Sequence, residues 1–144
     1  MTPAPRITLL TLCVGDLARS TVFYQALGFR RKARKAPGVA FFEAGGVILS
    51  LWDAEELAKD AEMEVDTPSR FRGVSLAWNC ASRDDVDVAM ARAAAIGGTL
   101  VRAPKTVFWG GYTGYFADPD GHLWEVAYNP DFALSADGRL QVPD

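Results

Sequence analysis

The chain has 144 residues, 49% of them hydrophobic, with a formal net charge of -3 and a sequence pI of about 5.1. The length suits one domain with a sizeable core, and the acidic balance argues against nucleic-acid binding, which usually needs a basic surface. The sequence contains no apolar run long enough to cross a bilayer and no signal-peptide pattern at its start, so we expect a cytoplasmic protein without membrane contact.

The first half of the chain reads as a β-α-β-β-β unit. A strand-like segment at 7–14 precedes a helix that Asp16 can cap and Gly28 can end. Three more strand-like segments follow, at roughly 29–35, 38–43 and 46–52. We assign module one to about 5–52.

An acidic, helix-prone segment at 53–72 follows module one, and we assign it as a linker. The sequence leaves open whether this linker covers a cavity or only bridges the two halves of the chain.

The second half repeats the order of the first. A strand at 73–80 precedes an alanine-rich helix that Ser82 can cap and that stops at the Gly97-Gly98 pair. Further strands are predicted near 99–104, 112–117 and 122–128, the last two separated by the turn sequence "DPDG". Module two therefore takes 73–130, and a tail takes 131–144.

The two halves align with an offset that grows along the chain. Asp16 falls on Ser82 at an offset of 66, and Gly46 falls on Gly121 at an offset of 75. The difference means that module two gained residues between its helix and its last strand. Two like modules, each with a half-buried sheet, bury more surface together than apart, so we predict a single α+β domain over 1–144.

Alternation along the strands divides each sheet into two faces. The bulkier rows are expected under the helices, which puts Leu9, Ser50, Ser75 and Glu125 at equivalent places on the opposite face. If that face is concave, Glu125 points into a cup, whereas a strand bulge would move it to the other side.

Glu125 is the candidate catalytic residue. Burial favours the neutral form of a carboxylate, which suits a general acid or base. The alternative is a structural residue bonded to Ser75, Ser50 or Asn79.

The segments "LCVGDLARSTVFYQALGF" and "YFADPDGHLWEVAYNP", within paired modules, resemble the glyoxalase/bleomycin-resistance/dioxygenase group, also called the vicinal oxygen chelate superfamily. The resemblance covers roughly residues 7–130. It implies two tandem βαβββ modules that form a cup-shaped, eight-stranded mixed sheet around a ligand cavity, with the helices outside. It also implies a homodimer.

Enzymes of this superfamily usually hold a divalent metal with four side chains, two from each module. The matching positions here are Leu9, Ser50, Ser75 and Glu125, of which only Glu125 is a usual ligand. We therefore predict no metal and no other cofactor. His122, the single histidine, is expected to face the helices and to make a local hydrogen bond beside its turn.

The glycine- and aromatic-rich segment 108–116 is the second candidate for function. We predict that it forms a ligand-binding loop, because glycine permits close approach and aromatic rings supply flat apolar walls. The alternative is ordinary core and hairpin packing. The predicted ligand-binding residues are Trp109, Tyr112, Tyr115, Phe116, Trp52, Ser50, Ser75 and Asn79.

Two classes of function stay open from the sequence. One is a protein that binds or sequesters a small organic molecule, as in the bleomycin-resistance branch. The other is a lyase or isomerase of the glyoxalase type that uses Glu125 as its general base. The absence of metal ligands favours the first class.

Overall fold

The structure, a computed structural model, describes residues 4–65 and 71–144. It divides into two compact units at residues 1–65 and 66–144, and each unit contains one of the predicted modules. The part of the predicted linker at 66–70 lies outside the described residues. Within the described ranges, no helix has the length and apolar character needed to span a membrane.

Module one has the predicted β-α-β-β-β order. Its elements are β1 (Leu9–Val14), α1 (Leu17–Leu27), β2 (Arg30–Lys32), β3 (Val39–Glu43) and β4 (Ile48–Asp53). The four strands form one mixed sheet in the order β1-β4-β3-β2, in which β1 pairs with β4 in parallel and the other pairs are antiparallel.

Helix α1 begins and ends at the predicted residues. The Asp16 side chain accepts a hydrogen bond from the backbone N–H of Arg19 at 3.0 Å, which satisfies one of the free donors of the first turn. Gly28 ends the helix in the left-handed conformation, with φ of 118°, which a side chain would strain. Phe23 and Leu27 are buried, and the ring of Tyr24 contacts that of Phe42 on β3 with centroids 6.0 Å apart.

Strand β2 is shorter than the predicted segment 29–35. Ala33 has a positive φ of 44°, and the N–H of Ala36 donates to the carbonyl of Ala33 at 3.0 Å. This turn ends the pairing with β3 at Lys32, so the strand keeps three of the predicted residues.

The predicted linker contains a short helix, α2 (Ala54–Asp60), directly after β4. The Asp53 carboxylate accepts from the N–H groups of Glu55 and Glu56 at 3.0 and 3.1 Å, and both glutamates suit the positive end of the helix. Helix α2 contacts β4 and β1, so this part of the linker belongs to the first unit.

Module two repeats the arrangement. Its elements are β5 (Ser75–Asn79), α3 (Arg83–Ala95), β6 (Thr99–Thr106), β7 (Tyr112–Ala117) and β8 (Leu123–Tyr128). The strand order is β5-β8-β7-β6, with β5 and β8 parallel and the other pairs antiparallel. The predicted α+β fold of two βαβββ modules is therefore confirmed.

The start and stop signals of α3 also act as predicted. The hydroxyl of Ser82 accepts from the N–H of Asp85 at 3.1 Å. A Cβ at Gly98 would lie 2.7 Å from the carbonyl oxygen of Ala93, so only glycine fits where the chain turns back to β6.

Helix α3 packs on one face of the second sheet. Val86 and Ala93 on the helix and Phe116 and Val126 on the strands are each at most 1% exposed. Phe116 stacks on Trp124 with ring centroids 6.0 Å apart and an interplanar angle of 3°. This face is the core of module two, and it fixes which strand residues must lie on the opposite face.

The turn between β7 and β8 is built around Asp118. Its carboxylate accepts from the backbone N–H groups of Asp120 at 3.0 Å and His122 at 2.8 Å, and its carbonyl accepts from Gly121 at 3.0 Å. The ring of His122 contacts Arg72, with Nδ1 3.3 Å from Nη1. The local hydrogen bond beside the turn is therefore made by the backbone N–H of His122, whereas its ring contacts a residue 50 positions away in the chain.

The tail forms a small antiparallel hairpin from β9 (Ala133–Leu134) and β10 (Leu140–Gln141). The "ADG" sequence provides its turn, in which the N–H of Gly138 donates to the carbonyl of Ser135 at 2.9 Å.

Candidate functional site

Glu125 lies on the face of the second sheet that is opposite α3. It pairs in register with Ala77 on β5 and with Tyr115 on β7, and residues in register across neighbouring strands point to the same side. On the other side, a Cβ at Gly114 would come within 3.1 Å of Met90 on α3. We call the side opposite α3 the Glu125 face; its polar side chains include Glu125, Tyr115, Thr113 and Arg102.

The Glu125 carboxylate has a protein partner on this face. The hydroxyl of Tyr115 donates to Glu125 Oε2 at 2.7 Å. This hydrogen bond, together with burial and the charge of Glu125, raises the pKa of the Tyr115 phenol above its ordinary value, while the nearby charge of Arg102 opposes the rise. Tyr115 therefore stays protonated at neutral pH and holds one carboxylate oxygen in place.

Arg102 lies on the other side of Tyr115. Its guanidinium carbon is 5.1 Å from the centroid of the Tyr115 ring, within the range of a cation–π contact. Its Nη2 donates to the hydroxyl of Thr113, which is 2% exposed. Its Nη1 is buried and has no hydrogen-bond partner among the residues that the structure describes.

Ser75, Ser50 and Asn79 were the partners considered for Glu125 from the sequence, and two of them lie on the neighbouring strand β5. Ser75 and Asn79 lie on the Glu125 face at the two ends of β5, with Ala77 between them opposite Glu125. Ser75 is exposed and Asn79 is half-buried. The partner that the structure shows for Glu125 is Tyr115, not one of the side chains considered from the sequence.

The predicted residues of module one lie on a matching face of their own sheet. Ser50 is 3% exposed and pairs with Thr11 on β1 and with Phe41 on β3. Trp52, two residues further along β4, is half-buried on the same face. Leu9 is 43% exposed near the start of β1.

Two of the predicted ligand-binding aromatic residues lie on the helix side of the second sheet. Phe116 is in the core on Trp124, and the Tyr112 hydroxyl donates to Asp87 on α3 at 2.7 Å. Alternation on β7 explains this placement, because Tyr112 and Phe116 point away from Tyr115. Neither residue therefore belongs to the Glu125 face.

Trp109 lies in the loop between β6 and β7 and is 41% exposed. A Cβ at Gly111 would be 2.0 Å from a ring carbon of Trp109, so glycine at this position lets the indole lie on the backbone. Gly110 has a positive φ of 91°. These glycines shape the loop around Trp109, and binding of a ligand by this loop stays a prediction.

The residues at the superfamily's metal positions do not fit a divalent metal. Module one supplies Leu9 and Ser50, and module two supplies Ser75 and Glu125, so the set contains one carboxylate and no imidazole. Elsewhere in ranges 4–65 and 71–144, no group of three or more His, Cys, Asp or Glu residues is placed to hold a metal ion.

Sequence reasoning missed Arg102 and Thr113. Thr113 has the same parity as Tyr115 on β7, so alternation alone would have placed it on the Glu125 face. Arg102 was harder to place, because the β6–β7 register shifts on both sides of it. Such irregularities cannot be read from one sequence.

Comparison with known proteins identifies the family. Residues 6–126 match the model of the Glyoxalase/Bleomycin resistance protein/Dioxygenase superfamily. No curated protein sequence matches the chain.

Solved structures show the same fold. A glyoxalase-related enzyme from Fulvimarina pelagi has a TM-score of 0.89 and 34% identity, covering 98% of this chain and 100% of its own. A glyoxalase/bleomycin resistance protein/dioxygenase from Nocardioides has a TM-score of 0.74 and 34% identity, covering 89% of this chain and 85% of its own. Lactoylglutathione lyase from Agrobacterium tumefaciens has a TM-score of 0.64 at 23% identity, covering 89% of this chain and 96% of its own.

The matched span, the two βαβββ modules and these structural relatives agree: the chain belongs to the glyoxalase/bleomycin resistance protein/dioxygenase superfamily.

Proposed function

We propose that this protein binds a small organic molecule on the Glu125 face and does so without the divalent metal of its superfamily. The observation that carries the proposal is the half-buried group of Glu125, Tyr115 and Arg102 on the strand face that α3 leaves uncovered. Ligand sites commonly combine apolar and aromatic walls with a few convergent polar groups. Here the Tyr115 ring supplies a wall, and Glu125 and Arg102 supply the polar groups.

The metal-free part of the proposal is supported by the donor set. A borderline metal prefers imidazole and carboxylate ligands, and the superfamily's four positions offer one such group. The Glu125 carboxylate also accepts a hydrogen bond from the Tyr115 hydroxyl. This supports a carboxylate that acts through hydrogen bonds and not as a metal ligand.

A ligand screen by thermal shift in the presence of a chelator tests the proposal. At a free ligand concentration of about 100 times Kd, one bound ligand stabilises the protein by roughly 2.7 kcal/mol. We expect Glu125→Gln to weaken the binding of hits by about tenfold or more, because a hydrogen bond to a charged group is lost.

Asp87→Asn is the matched control for this screen. Asp87 accepts from Tyr112 with the same 2.7 Å geometry, but it lies on the outer surface with α3. Hits that bind Asp87→Asn normally and Glu125→Gln weakly support the site. Hits that bind both variants as well as the parent protein would make Glu125 a vestigial or structural residue.

A second candidate function is a lyase or isomerase that uses Glu125 as general base. The Tyr115 hydrogen bond favours it, because that bond fixes Oε2 and leaves Oε1 to accept a proton from a substrate. The likeness to a structure described as a glyoxalase-related enzyme also supports it. Incubating each hit with the protein and following product formation separates the candidates, since a binding protein returns the ligand unchanged.

Homodimerisation and a cytoplasmic location stay predictions from the sequence and the resemblance.

A further inference from the structure

Arg102 is a cation whose contacts within the protein are incomplete. One guanidinium nitrogen donates to Thr113, and the plane lies over Tyr115, but the buried Nη1 has no acceptor among the described residues. Burying a charged donor without an acceptor is costly, because the group loses its water and gains nothing in exchange. Nη1 is covered in this conformation, so an acceptor from outside the chain reaches it only when the guanidinium moves, and such an acceptor would then satisfy it.

Glu125 does not supply that acceptor. Arg102, Tyr115 and Glu125 occupy three successive strands in register, so the backbones of Arg102 and Glu125 are separated by two strand spacings, about 9.6 Å. Tyr115 lies between them and donates its hydroxyl to Glu125.

The same chain contains a second arginine with matching contacts but a different environment. Arg83 lies over the Tyr112 ring at 5.4 Å and donates to the Thr106 hydroxyl at 3.0 Å, while Tyr112 donates to Asp87. Arg83 is exposed, so its remaining donors are accessible to water. The feature that sets Arg102 apart is therefore the burial of its free nitrogen, not its contact with a tyrosine ring.

We infer that the ligand of the Glu125 face carries an anionic oxygen group, a carboxylate or a phosphate, which Arg102 Nη1 binds. This inference rests on the proposed function and names the ligand class for the same face. A guanidinium matches such groups because its N–H donors lie in one plane. The Tyr115 ring beside it would contact the apolar part of the same molecule.

The test uses the full chain labelled with [15N]arginine and follows its side-chain N–H signals by NMR. Signals are assigned from Arg102→Gln and Arg83→Gln. The probes are sodium benzoate, its neutral analogue benzamide, and phenyl phosphate. We expect benzoate or phenyl phosphate to shift the Arg102 signal to saturation with an affinity about tenfold or more above that of benzamide.

The variants sharpen this expectation. Arg102→Gln should reduce the affinity for the anionic probe to that for benzamide, whereas Arg83→Gln should leave it unchanged. Arg102→Lys, which keeps the charge but not the planar donors, should give an intermediate affinity, and it replaces the glutamine variant if that variant does not fold. The comparison of benzoate with phenyl phosphate decides between the two anionic groups.

Three results would overturn the inference. The first is an Arg102 signal that neither anion shifts, or that moves no more than the Arg83 signal. The second is an Arg102 signal that depends on protein concentration, which would mean that a second copy of the chain supplies the acceptor. The third is a set of screening hits whose affinity Arg102→Gln does not change but Glu125→Gln does; binding at the Glu125 face would then stand without an anionic ligand.

Discussion

At the scale of single residues, module two contains two tyrosine–carboxylate pairs that have similar geometry but differ in burial. Tyr115–Glu125 and Tyr112–Asp87 have the same 2.7 Å hydrogen bond, and in each the carboxylate raises the pKa of the phenol. The first pair is on the open strand face and the second is on the surface with α3. The proposed ligand site uses the first pair, which is part-buried, whereas the second pair is exposed.

Tyr115→Phe removes the hydroxyl that holds Glu125. We expect the free energy of unfolding to fall by about 1 kcal/mol at neutral pH, the usual net value of one hydrogen bond. Because the pKa of Tyr115 is raised in the folded protein, the stability that it contributes is complete below the ordinary pKa of tyrosine and is lost as the pH rises through the folded-state pKa.

Urea unfolding of the parent protein and Tyr115→Phe, repeated from neutral to alkaline pH, checks this. The stability difference should stay constant up to about pH 10 and shrink above it. A difference that grows with alkaline pH would contradict the assigned hydrogen bond. Tyr112→Phe should show the same direction of pH dependence, because its hydroxyl also donates to a carboxylate and its pKa is also raised.

The sequence predicted part of this site for a clear reason. Alternation placed Glu125 on the face opposite the helix, as found, since β8 pairs with β5 and β7 without a bulge. Tyr115 was predicted as part of a ligand-binding loop, without a strand face. The same rule, applied across the aromatic segment, would have put Tyr112 and Phe116 on the helix side. Arg102 could not be placed, because the β6–β7 register is irregular beside it.

At the scale of elements, the helix caps are the features that sequence predicts best. Asp16 and Gly28 for α1 and Ser82 for α3 act through contacts three or four residues away, so local sequence determines them. The end of β2 was predicted less well, because the turn at Ala33 has a backbone conformation that alanine rarely adopts.

Asp16→Ala tests the cap of α1. We expect the free energy of unfolding of the protein to fall by about 1 kcal/mol, since the N–H of Arg19 loses its acceptor. Asp16→Asn should cost far less, because an amide oxygen also caps a helix. Equal losses for both variants in urea unfolding would show that the charge of Asp16, and not its hydrogen bond, stabilises α1.

At the scale of the whole molecule, the chain is one folding unit used twice. Each unit has a helix packed on its own four-stranded mixed sheet, and the first strand pairs in parallel with the last. The repeated order of strands and helix, with offsets of 66 and 75 residues between the halves, predicted this repetition. Ligand identity could not be predicted in the same way, because the fold is shared by proteins of different function.

The difference between the modules lies in what their open faces carry. The face of module one that carries Ser50 also carries Glu43, Arg30 and Lys32, on its last two strands in the sheet order. Module two carries Glu125 and Arg102 with Tyr115 between them. We expect recognition to come from module two, because its two charges flank an aromatic ring. The superfamily's metal has no matching set of donors on either face.

The most direct test of this account is calorimetric titration of the tightest screening hit into the protein, with chelator and again with added zinc. We predict the same dissociation constant in both titrations, because the proposed site uses hydrogen bonds and charge from Arg102, Tyr115 and Glu125 and no metal. Binding that disappears in chelator and returns with zinc would contradict the account.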